Sequence, residues 1–311
     1  MVRNVALDIL KLCLSFFVVM LHCNLFRDIN GPLYFTTVNG ICRIAVPIFL
    51  VITGYYFFYV DDFNKLVNWG RRLLILYSIW MLFYLLFWFS DSSLIENIKS
   101  LFFGYFILWY LIGTFFAGLL VYWLKSLSFA FQLSAVLLCF FSGYVMQTVG
   151  NLHLFSREAD NFLNDFRSYR NFLMMCFPFM MVGLWVNKYR IDRKINISIY
   201  LIFSLLLLLI FESFIHYYFI SYKESLDLLV MLLLIAPAIF IFTLKLNVQS
   251  HSKNIAALST AIYLIHPIIM FEFAKKFDAN NTIVFTIYIL SASIILGYVL
   301  TLLNKKLKYL L

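Results

Sequence analysis

The chain has 311 residues, 64% hydrophobic, 20% aromatic and only 13% charged, with a net charge of +9 and a mean hydropathy of +0.92. A soluble domain is about 45–50% apolar and about 25% charged, so this chain lacks the polar surface a water-soluble fold requires. Disordered and collagen-like classes fall away too, with 11 Gly and 5 Pro in the whole sequence. The composition places the chain in a bilayer.

A spanning helix takes about 20 residues, so about ten helices use about 200 and leave no room for a sizeable soluble domain. Runs such as 199–210 and 228–242 are apolar on every side, without the alternating polarity of a transmembrane barrel. In chain order, spans are predicted near 5–26, 41–59, 73–89, 102–124, 127–146, 172–186, 196–215, 226–244, 255–273 and 283–303. The expected fold is all-α, a polytopic membrane protein of about ten transmembrane helices forming a single domain over 1–311. The start of the chain has one Arg and a long apolar run but no small-residue cleavage site, which predicts a retained first helix.

Basic residues orient the chain. With the N-terminus in the cytoplasm, fourteen of the 24 Lys and Arg fall inside, eight outside, and Lys11 and Arg43 lie within spans. This excess predicts both termini to be cytoplasmic. Basic loops facing anionic lipid then account for the net charge, and no nucleic-acid partner is expected.

Cys13, Cys23, Cys42, Cys139 and Cys176 form no CxxC pair and read as small packing residues. His22, His153, His216, His251 and His266 show no HxxxH or HExxH spacing, so no metal site is expected.

Ionisable groups near mid-membrane are costly and face protein or a water-filled cavity. In the first span Asn4, Asp8, Lys11, Ser15 and His22 fall within one narrow sector of the helix, which predicts a stripe turned into the bundle. Arg43 opens the second span, Arg170 precedes the sixth, and Glu212 ends the seventh. Ser259, Tyr263 and His266 share one face of the ninth, followed by Pro267. The topology puts His22, Arg43, Arg170, Glu212 and His266 in the outer half, which suggests a polar cavity opening outward. On the inner side Lys65, Arg71 and Arg72 stand where the third span begins, as a phosphate clamp or as membrane-surface anchors.

These residues resemble a known family, the acyltransferase-3 membrane O-acyltransferases that modify bacterial surface polysaccharides such as O-antigen. The pieces are Arg3-Asn4 with Asp8, Lys11 and His22; Arg43 with Pro47; Thr53-Gly54-Tyr55; and Trp109-Tyr110. They continue with Arg170-Asn171, Phe177-Pro178-Phe179, Gly183, and Ser259 through Tyr263 to His266-Pro267, in the family's order. Lys11 stands where the family's first helix has Arg, which keeps the charge and loses the bidentate fork.

The resemblance implies a ten-helix enzyme of the bacterial inner membrane, with cytoplasmic termini. Its implied donor substrate is acetyl-CoA or another acyl-CoA, with no tightly bound cofactor. The implied acceptor is a sugar hydroxyl on an extracytoplasmic glycan or lipid-linked sugar, and membrane lipid is the surrounding partner. Arg71 and Arg72, with Lys65 beside them, then correspond to basic residues holding the CoA phosphates. A sugar hydroxyl needs a base as the thioester is attacked, and His22 suits that task. Lys11 or Arg43 would steady the developing oxyanion or hold the donor, with Asp8 paired to Lys11. Trp109, Tyr110, Arg170, Glu212, Tyr263 and His266 are expected around the acceptor or the cavity. A transporter or flippase with a polar central path is the alternative, though neither related halves nor matched broken helices are evident.

Overall fold

The computed structural model describes residues 3–89, 93–246, 248–250, 254–274, 281–307 and 309–311. His251, Lys253, Lys275, Lys276 and Lys308, used above for charge sorting or the histidine pattern, lie outside the described residues. The regular structure of the described residues is helical apart from a two-residue antiparallel ladder pairing Arg3 with Ser250 and Asn4 with Gln249.

Among the described residues, seven helical segments are long and apolar enough to cross a membrane: Val5–His22, Gly31–Phe57, Phe106–Leu124, Phe129–Asn151, Ile199–Phe219, Asn254–Ala274 and Thr282–Asn304. Phe172–Lys188 and Leu232–Leu246 are shorter apolar helices at predicted spans. At the remaining predicted span the helix, Phe63–Phe83, begins ten residues before 73, because Asp62 caps it by accepting from the Lys65 N–H. Arg71 and Arg72 therefore lie inside a helix and not at the end of a loop. The second span also starts earlier than expected. Asn30 caps a short helix, Gly31–Val38, that leads through a tight turn at Ile41–Ile44 into Ala45–Phe57.

The helices gather into two units, one of Met1–Phe49 with Asp192–Leu311, the other of Leu50–Ile191. In the first unit, Asn4 both caps Val5–His22 and donates its amide to the Leu244 carbonyl at 2.8 Å. Val5–His22 packs on Asn254–Ala274, which packs on Thr282–Asn304. Val19, Cys23, Ile262, Ile269 and Ile289 form their common core. Ile199–Phe219 packs on Gly31–Val38 and on Leu232–Leu246.

In the second unit, Trp109–Leu124 packs on Phe63–Phe83, and Phe129–Asn151 on the segment 172–188. Gly54 lies directly on the Met180 backbone, and Gly183 on the backbone of Val51. A side chain at either glycine would collide with main chain, which small residues at helix crossings avoid. Buried Gln132 uses its amide to cap the end of Trp109–Leu124 through the carbonyls of Leu124, Lys125 and Leu127. Its oxygen accepts from the Trp185 indole at 2.7 Å.

Candidate functional site

The polar stripe of the first helix faces protein. Asp8 and Ser15 are buried, whereas Ile9 is 47% exposed and Cys13 is exposed on the opposite side. Lys11 Nζ lies 3.7 Å from Asp8 Oδ1, one turn away. Ser15 donates its hydroxyl to the Leu12 carbonyl at 2.7 Å. The backbone of Lys11 is also engaged, accepting from Ser259 Oγ at 2.8 Å. That bond ties the first helix to Asn254–Ala274.

Near the other end of these two helices, His22 and His266 stack, with ring centroids 5.4 Å apart and planes 25° from parallel. Two histidines 244 residues apart in sequence thus form one pair. The Tyr263 ring stands 6.3 Å from His266 and 6.4 Å from Phe49.

Local sequence fixes the state of His266. A helical N–H at 267 would bond the carbonyl of residue 263, but Pro267 has no N–H. The Tyr263 carbonyl is thereby left for the imidazole, and His266 Nδ1 lies 2.8 Å from it and 3.2 Å from the Ile262 carbonyl. Two carbonyl neighbours require Nδ1 to carry the hydrogen, so in the neutral ring Nε2 is an acceptor. His266 is 0% exposed, and among the described residues its Nε2 has no hydrogen-bond partner. Such an orphan costs about 1–3 kcal/mol, which marks the position as one to explain.

Arg43 and Glu212 are arranged differently. Arg43 is buried, with Nη1 donating to Asp227 and Nη2 to Asn39 Oδ1 at 2.8 Å. Asn39 Oδ1 also accepts from the Leu226 N–H at 3.2 Å. Glu212 spreads its carboxylate over two backbone donors, the N–H of Val230 at 2.7 Å and of Met231 at 2.9 Å. Both residues therefore hold the segment 226–231 in place, a fastening role where a cavity-lining one was expected. Asp227 and Asn39 escaped the sequence reading, although Asp227 carried a signal as a carboxylate inside an apolar run.

In the second unit the Arg170 guanidinium lies 4.2 Å from the Phe166 ring centroid and 5.3 Å from that of Trp109. These three residues line a mostly apolar cavity of about 260 Å³ with Phe102, Phe116 and Phe172. Asn171 caps the wide turn Phe172–Cys176 by accepting from the N–H of Leu173 and of Met174. Tyr110 is paired with the side chain of Thr53.

The basic residues differ among themselves. Lys65 pairs with Asp61 and Asp62, and the Asp61 hydrogen bond raises its pKa. Arg71 and Arg72 are exposed and form no ion pair among the described residues. The described residues contain no group of three or more His, Cys, Asp and Glu able to hold a metal ion.

The acyltransferase domain model of the acyltransferase-3 family matches residues 4–302, nearly the whole chain. The chain belongs to the acyltransferase-3 family. Its helices are long and apolar enough, at seven places among the described residues, to cross a membrane. An amino-acid racemase of Enterococcus faecalis is 26% identical over 338 residues, covering 98% of this chain and 47% of the racemase. The chain therefore spans about half the length of that relative, whose name describes the longer protein. No solved structure matches the chain.

Proposed function

We propose that this acyltransferase moves an acyl group, acetyl in the first instance, from cytoplasmic acyl-CoA to a sugar hydroxyl of an extracytoplasmic or lipid-linked glycan. The observation that carries the reading is the His22–His266 stack, on the same inward face of the first helix as Asp8 and Lys11. His22 is the general base. It takes the hydroxyl proton as the oxygen attacks the thioester carbonyl; the new C–O bond forms, the C–S bond breaks, and CoA leaves as the thiolate. Lys11, a cation 24% exposed that turns toward buried Asp8 and away from His22, is assigned to holding the acyl donor. Arg71 and Arg72, exposed cations without carboxylate partners among the described residues, are assigned to the CoA phosphates.

The membrane is the bacterial inner membrane and both termini are cytoplasmic in this reading. Ten spans follow if Phe63–Phe83, Phe172–Lys188 and Leu232–Leu246 also cross.

The experiment is His22→Ala at matched expression, with surface-glycan acylation measured by mass spectrometry. Loss of the acyl mass supports the reading; acylation at the wild-type level removes His22 from the chemistry. Purified protein that does not consume acyl-CoA would favour transport over transfer.

A further inference from the structure

One hydroxyl carries one proton. In the reaction proposed above, on which this inference rests, that proton goes to His22. The stacked ring of His266 presents a second nitrogen that this chemistry does not use. Its tautomer is set by its own helix: Pro267 frees the Tyr263 carbonyl, and Nδ1–H takes it at 2.8 Å. Nε2 is then an acceptor only, wholly buried, with no protein donor among the described residues.

We propose that His266 Nε2 accepts a hydrogen bond from a second donor on the acceptor, an O–H or N–H on the carbon beside the one acylated. The enzyme would then select vicinal diols and hydroxyl–amide pairs over isolated alcohols. Three observations converge. The lone pair needs a donor, and the reacting hydroxyl has none left. The two rings lie face to face at 5.4 Å, so adjacent substituents of one sugar ring can reach both imidazoles. An acceptor-only nitrogen also discriminates sharply, accepting O–H and refusing O-methyl or fluorine at the same position. A buried group built to bond a substrate hydroxyl rejects analogues that lack it far more strongly than an apolar wall does.

The test uses purified full-length enzyme in lipid nanodiscs with acetyl-CoA, and glycan from cells lacking the gene as acceptor. Two rates are followed in each sample, transfer to glycan and hydrolysis of acetyl-CoA. Water has no neighbouring substituent, so hydrolysis does not draw on the His266 contact. The ratio of the two rates is also independent of how much protein is folded. His266→Phe keeps a ring and loses the lone pair, whereas His266→Gln keeps a terminal oxygen acceptor.

The expected result is a ratio lowered about 10-fold or more in His266→Phe, a raised KM for glycan, and substantial recovery in His266→Gln. An unchanged ratio in His266→Phe overturns the inference, as does His266→Gln behaving no better than His266→Phe. Wild-type enzyme that neither transfers nor hydrolyses would instead sink the underlying acyltransfer reading, and His22→Ala with full transfer would sink the base assignment.

Discussion

Ser259 donates its hydroxyl to the backbone carbonyl of Lys11 at 2.8 Å, and the helices that carry these residues run parallel from that point toward the His22–His266 stack. The bond reinforces the register set by the apolar seam between the two helices, where Leu12 and Leu258 pack against the cluster of Val19 and Ile262. Ser259→Ala is expected to lower stability by about 1 kcal/mol and to reduce transfer, because the stack depends on that register. Thermal unfolding in detergent with parallel acetyl-transfer assays checks both. A variant matching wild type in each would show that the hydroxyl does not reinforce the register.

Pro267→Ala restores an N–H at 267, which competes with the imidazole for the Tyr263 carbonyl. Removing an interior proline favours the helix by up to about 3 kcal/mol in intrinsic propensity. The expected outcome is therefore an enzyme at least as stable that transfers less. Nitrogen NMR of labelled His266 would show the tautomer released from Nδ1–H. A fixed tautomer in the variant would mean that the proline does not control it.

The Arg43–Asp227 pair is buried, and breaking it leaves a charge without its partner. Asp227→Ala is expected to lose about 3–5 kcal/mol, whereas replacing Arg43 and Asp227 together by Met and Leu should cost far less. A thermal-shift series over the two single variants and the double variant measures the difference. Equal losses throughout would show that the pair does not fasten the segment 226–231.

Thr282 donates its hydroxyl to Asp28, and that bond holds the Asp28 carboxyl below the usual carboxylate range. A depressed pKa adds stability above the unfolded-state pKa and loses it as pH falls through the folded value. Thr282→Ala should therefore be less stable than wild type at neutral pH. The gap should narrow on acidification below the ordinary Asp pKa of about 3.9. Unfolding curves across that window check the sign; a gap that widens toward acid would refute the assignment.

Arg71→Gln with Arg72→Gln is expected to raise the KM for acetyl-CoA about 10-fold or more, with a smaller effect on kcat. Lys65→Gln should change it less, because Lys65 already serves Asp61 and Asp62. Steady-state kinetics at constant glycan separates the three. A larger effect at Lys65 would move the phosphate contact to that end of the helix.

Much of the helical layout was legible before any coordinates. Helices occur at every predicted stretch among the described residues, since long apolar runs have few other ways to satisfy their backbone in lipid. The ends were harder to read. Polar caps such as Asp62 and Asn30 start helices among residues that hydropathy reads as loop. The inward stripe of Asp8, Lys11, Ser15 and His22 was readable because period 3.6 fixes direction around a helix axis. The partners were not. Glu212 reads as an ionisable group near a cavity, yet its two oxygens are spent on the N–H groups of Val230 and Met231.

By its residues alone this chain was committed to lipid, to helices and to turning the charged edge of its first helix away from the acyl chains, since an ionised side chain is too costly there. The Pro267 gap that leaves the Tyr263 carbonyl open is likewise written into a single turn of backbone bonding. Packing alone decided that His22 meets His266 while Arg43 meets Asp227, because periodicity fixes a direction around each axis and says nothing of which helix stands opposite or at what height.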